Sequence, residues 1–114
     1  MNETLQSKLA RLLADENIYK VEINIKCKTQ DGMIYTLMSQ EYDRAAVTKD
    51  AALTFAETVH YCTMENLLEV MRIVEKGGGY WFFSEEMVAI KHTEIVRVWA
   101  ELGDLYCNNM TENE

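Results

Sequence analysis

Apolar and polar positions along this chain recur in two different periods, and the period decides the element. Residues 4–14 place Leu5, Leu9, Leu12 and Leu13 at helical spacing, with Gln6, Lys8 and Arg11 elsewhere on the wheel. That predicts a short amphipathic helix whose stripe needs a sheet or a second helix to cover it. From Ile18 to Lys28 the period becomes two: Tyr19, Val21, Ile23, Ile25 and Cys27 alternate with Lys20, Glu22, Asn24, Lys26 and Lys28. One face of this strand is expected in a core and the other in water.

Asp31-Gly32 marks a hairpin, with Met33 to Gln40 returning as the second strand. A two-residue turn would set Thr36 opposite Cys27. A three-residue loop with Gly32 at positive φ sets Tyr35 opposite Cys27 and Leu37 opposite Ile25, so both apolar sets share a face, and this register is preferred.

The stretch from Glu41 to Asp50 turns polar without a period and reads as a connection or an edge. Ala51 to Cys62 fits two templates. As a strand, Leu53, Phe55, Val59 and Tyr61 share a face; as a helix, Ala52, Phe55, Ala56 and Val59 form a stripe. The threonines favour a strand over at least Thr58–Cys62, with the first half left open. Thr63 then caps a helix from Met64 to Lys76, with Leu67, Leu68, Met71 and Val74 as its apolar face and Gly77-Gly78-Gly79 as its end. Beyond it lie strands at Tyr80–Phe83, Val88–Ile90 and Ile95–Trp99, joined by a Ser84-Glu85-Glu86 turn and a His92-Thr93-Glu94 corner. The sum is a small single α+β domain over residues 1–107, an antiparallel sheet of about four to five strands packed by two helices. Residues 108–114 follow as a short acidic polar tail.

Charge narrows the partners. Eleven Lys and Arg stand against nineteen Asp and Glu, a net charge of -8, and half of that excess lies in the last fourteen residues, which hold Glu101, Asp104, Glu112 and Glu114 and no base. Such a chain repels phosphate backbones and anionic membranes and attracts basic protein surfaces. No run of 18 apolar residues offers a membrane span. The three cysteines are widely spaced without a CxxC pair, which argues against a disulfide framework. Glu3, Asp15 and Glu16 interrupt the N-terminal region, unlike a signal or transit peptide, so a cytoplasmic location is expected.

Motifs that could carry chemistry read better as structure. On a strand, His60 and Cys62 would face the same side and could join His92 with Cys27 or Cys107 around a metal, but the spacing matches no zinc module. Cys62 with His60 or His92 is the only nucleophile-base pairing, and no nucleophile elbow or orienting acid accompanies it. The glycine run follows a helix and precedes a strand, the reverse of a phosphate loop. Glu85-Glu86, with Glu101 and Asp104 further on, lacks the spacing of a calcium loop. No catalytic residue, metal or cofactor is therefore expected.

The most informative run is Tyr80-Trp81-Phe82-Phe83. Four adjacent aromatics in a strand put two on each face, so both faces need cover, from the chain itself, a second copy or a partner. Trp99, two residues beyond Arg97, extends the apolar area. Candidate binding residues are Tyr80, Trp81, Phe82, Phe83, Glu85, Glu86, His92, Arg97 and Trp99. They predict a non-catalytic binding or inhibitory protein that docks by an aromatic patch and carboxylates onto a basic protein surface, or onto itself as a homodimer. A sharper form presents carboxylates where phosphates would sit; in size and charge only, it resembles the small acidic proteins that phages and mobile elements direct against nucleic-acid machinery. The alternative is an oligomeric small-ligand-binding domain or minor enzyme, its site between subunits or between sheet and helix, with His92 and Arg97 suited to a planar or anionic ligand.

Overall fold

Thr4 starts the first helix by accepting the Ser7 N–H on its side-chain oxygen at 3.0 Å. The computed structural model describes residues 3–108. From that cap α1 runs over Leu5–Leu12, burying Leu9 and, just past its end, Leu13. β1 (Ile18–Thr29) then alternates as its period demands, with Val21, Ile23, Ile25 and Cys27 buried. Tyr19 corrects the alternation: it is exposed and Ile18 is buried in its place. The ladder to the last strand slips between Ile18 and Lys20, and such a slip exchanges the two faces.

The hairpin closes through a three-residue loop in which Thr29 N–H donates to the Met33 carbonyl and Gly32 takes φ +88, a conformation open to glycine. Tyr35 is opposite Cys27 as expected. Leu37 is not opposite Ile25. A bulge there shifts the register, so that β2 (Ile34–Asp43) sets Met38 against Ile25 and Tyr42 against Val21. Continued without the bulge, the strand would drive Glu41 into the core and turn Tyr42 to water; with it, Tyr42 is buried and its hydroxyl accepts from Asn66 Nδ2 at 2.9 Å.

A short helix, α2 (Arg44–Val47), leads to α3 (Phe55–Lys76), which corrects the reading of residues 51–62. Thr58–Cys62 is helix, not strand, and Thr63 is a buried interior residue of a 22-residue helix rather than its cap. The cap is Thr54, whose side chain accepts the Glu57 N–H while Glu57 accepts the Thr54 N–H. Phe55, Val59, Thr63 and Val70 then fall on one buried side. Leu68 and Met71, expected on the packed face, are exposed.

Gly77, at φ +68, ends α3 and turns the chain into β3 (Tyr80–Phe83) and β4 (Val88–Lys91), an antiparallel pair. A 3-10 turn at His92–Glu94 leads to β5 (Ile95–Cys107), which continues eight residues beyond the expected end at Trp99. Its period is hidden because the ladder slips between Val21 and Ile23, letting both Leu102 and Leu105 pack against the core. The fold is α+β and antiparallel, with five strands among the described residues divided into a three-stranded sheet ordered β2-β1-β5 and the separate two-stranded β3-β4. Helices α1 and α3 cover the Val21–Ile23 end of the inner face through Leu9, Leu13, Phe55 and Val59. The β3-β4 pair covers the Cys27 end. Of the expected acidic tail at 108–114, residues 109–114 lie outside the described residues; Glu101 and Asp104, the other acids of the last fourteen residues, belong to β5.

Candidate functional site

The aromatic run sits on a strand of four residues, so the pleat divides it two and two. Phe83 and Trp81 turn inward. Phe83 stacks on Tyr35 with ring centroids 5.0 Å apart, and Trp81 meets the His92 ring edge-on at 4.4 Å. Together with Ile90 they seal the Cys27 end of the sheet. Tyr80 and Phe82 turn outward, 66% and 63% exposed, opposite Lys91 and Ala89 on the neighbouring strand. Glu85 and Glu86 form the turn at the hairpin's tip, both exposed. Neither takes part in an ion pair among the described residues, whereas Glu3, Glu41, Glu69 and Glu101 each meet an Arg or Lys.

The tip leans toward the polar face of the three-stranded sheet. Between them lies an open groove of about 580 Å³, lined on one wall by Phe82, Glu85 and Glu86 and on the other by Glu22, Asn24 and Lys26. Lys26 is drawn across to Glu101 on β5 at 3.2 Å. There the Trp99 indole N–H donates to Glu101 Oε2 at 2.8 Å, and this bond, with Lys26 beside it, holds the Glu101 carboxyl below its usual value. Arg97 lies over the Trp99 ring at 4.9 Å.

The nine sequence-selected residues thus separate into three places. Tyr80, Phe82, Glu85 and Glu86 make an outward aromatic-acidic surface; Trp81, Phe83 and His92 anchor the hairpin from beneath; Arg97 and Trp99 lie on the polar face. His92 and Arg97 have separate aromatic partners, His92 packing edge-on to Trp81 and Arg97 lying over Trp99. His60 and Cys62, two apart on a helix instead of a strand, point to opposite sides of α3. Among the described residues no group of three or more His, Cys, Asp and Glu could hold a metal ion. Burial pushes the Cys27 and Cys62 thiols up, Cys62 further through Glu65, so neither has the lowered pKa of a nucleophile.

One surface escaped the sequence reading, the outer side of α3, where Tyr61, Met64, Leu68 and Met71 are exposed. The signal was the Thr54-x-x-Glu57 pattern, which starts one helix early enough to carry all four residues on a single wheel. Among the described residues no helix is long and apolar enough to cross a membrane. Compared with protein-family models, with curated proteins and with solved structures, the chain matches none of them.

Proposed function

We propose that this chain is a non-catalytic protein-binding domain that docks onto a basic protein surface through the outward side of its β3-β4 hairpin. The observation that carries the reading is the exposure of Tyr80 and Phe82 beside Glu85 and Glu86. Large aromatic side chains held on a rigid strand are the kind that fill pockets at interface hot spots. Trp81 and Phe83, packed beneath, hold that strand in place. Unpaired carboxylates at the rim attract a basic partner and repel an acidic one. A second copy of a chain with net charge -8 is disfavoured at this rim, which argues for another protein here. On the polar face, acids and bases alternate, with Lys20 meeting Glu41 and Lys26 meeting Glu101, which supports local docking at the tip over a row of phosphate-like carboxylates.

The test is affinity capture with the full chain, followed by binding measurements on the purified partner. Replacing Tyr80 and Phe82 with Ser, and separately Glu85 and Glu86 with Lys, should each weaken binding at least about tenfold, near 1.4 kcal/mol. Added salt should weaken the wild type more than the charge variant. A partner with no basic surface, or one that both variants hold undiminished, overturns the reading.

A further inference from the structure

Among the described residues the fold packs against one side of α3. Phe55, Val59, Thr63 and Val70 face the sheet, and at about 100° per residue Tyr61, Met64, Leu68 and Met71 fall roughly 150° away from them. These four are 57%, 45%, 58% and 44% exposed. Their spacing of three, four and three is that of a coiled-coil seam, and Glu57 and Glu75, the next positions of the same spacing, end it on both sides. Four half-exposed side chains of this size leave roughly 300–500 Å² of apolar surface, at the upper end for a monomer.

We propose that this seam is covered by α3 of a second copy, running antiparallel about a two-fold axis near Asn66. The flanking charges select that occupant. On the solvent side of the seam Glu65 lies toward the N-terminal half and Arg72 toward the C-terminal half, where Arg72 also meets Glu69. A two-fold axis sets equivalent flanks side by side in reversed order, so Glu65, one residue from the axis, lies between the partner's Glu65 and the partner's Arg72, and each Arg72, about 7.5 Å along the helix, reaches back to offset that acidic pair. A parallel pairing would place both charges against the apolar flank of Leu67 and Val74 instead. In the antiparallel seam Tyr61 meets the partner's Met71, and Met64 meets the partner's Leu68. Two such stripes with their flanks bury about 1,000 Å², the lower bound for a specific interface. The two-fold also opposes Glu57 to the partner's Glu75 at each end, a repulsion that keeps the dimer weak. This surface lies on a different element from the hairpin and stands or falls apart from it.

Sedimentation equilibrium of the full chain over a wide concentration range tests the proposal, with circular dichroism confirming that each variant is folded. The wild type should show a concentration-dependent dimer. Leu68→Glu should be monomeric, with Leu68→Ser as the milder form. Glu65→Arg and Arg72→Glu should each weaken the dimer by about tenfold, and their combination should restore it, a rescue peculiar to pairing between copies. Glu75→Lys should tighten it more than Glu16→Lys, which changes the net charge equally but lies off the helix. A concentration-independent monomer, a dimer that survives the Leu68 changes, or a double exchange that fails to restore association overturns it.

Discussion

Arg44 ties three separate parts of the chain together, and removing it should cost more than its half-exposed position suggests. Its Nε donates to the Ile18 carbonyl at 3.1 Å, and its Nη2 reaches the carbonyls of Leu13, Asp15 and Ile18 at 3.2, 3.1 and 2.8 Å. The guanidinium also lies 4.6 Å from the centre of the Phe55 ring. The loop between α1 and β1 is thereby clamped to α2 and to the first turn of α3. Hydrogen bonds to a charged donor contribute about 1.5–3 kcal/mol when fully buried; these carbonyls are partly wet, so about 1 kcal/mol for each of the three is the fair figure. The contact with Phe55 adds roughly 0.5–1 kcal/mol. Arg44→Ala should therefore destabilise the domain by about 3–4 kcal/mol, a large part of the 5–15 kcal/mol typical of a domain. Near 4 °C per kcal/mol, the midpoint falls by about 12–16 °C. Lysine keeps the charge but lacks the planar fork that reaches the three carbonyls from two nitrogens, so it cannot hold all three at once and should lose about half as much. Urea melts followed by circular dichroism give both numbers. A loss below about 0.5 kcal/mol for Arg44→Ala, or a lysine variant as stable as the wild type, would refute the clamp.

Gly32→Val should cost about 1 kcal/mol or more, and Gly32→Asn less, because space around Gly32 is open and only its backbone at φ +88 resists a β-branched side chain; equal melting curves for all three would sink the argument for the three-residue loop. Since the folded Glu101 carboxyl titrates below its ordinary 4.5, its contribution to stability is present above that pH and lost as pH falls through the lower folded value. Glu101→Gln should accordingly be less stable than the wild type at neutral pH and show a shallower loss on acidification, and parallel pH profiles for the two proteins would contradict this. Chelator and reductant together should leave the thermal midpoint unchanged, because the cysteines are free and Cys27 packs as a small apolar side chain; a large drop with chelator alone would revive a metal site at His60 or Cys62.

Where local period and local chemistry agree, the elements could be read directly. Leu5, Leu9 and Leu12 with Thr4 ahead of them specify α1, and the alternation from Val21 to Cys27 specifies the inner face of β1. Asp31-Gly32 locates the hairpin and its Cys27–Tyr35 register, and the order helix, glycines, strand explains why the Gly77–Gly79 run ends α3 instead of cradling a phosphate. The two-and-two division of the aromatic run was equally legible, because a strand cannot put four adjacent side chains on one face.

What stayed hidden depends on partners distant in the sequence. Thr54 and Thr58 favour a strand by propensity, yet Phe55 and Val59 become buried only if the segment is helical across α1 and β1, and that burial outweighs propensities worth tenths of a kcal/mol. The bulge at Leu37 and the slips along β5 leave no local trace. They exist because Tyr42, Leu102 and Leu105 gain cover by facing the core. For the same reason sequence alone could divide the aromatic run but not choose its outward pair: the choice falls to Cys27 and Tyr35, which receive Phe83 and Trp81 and leave Tyr80 and Phe82 in water. A period shows which side chains share a face; which face is covered is settled by the apolar area that remote elements bring to it.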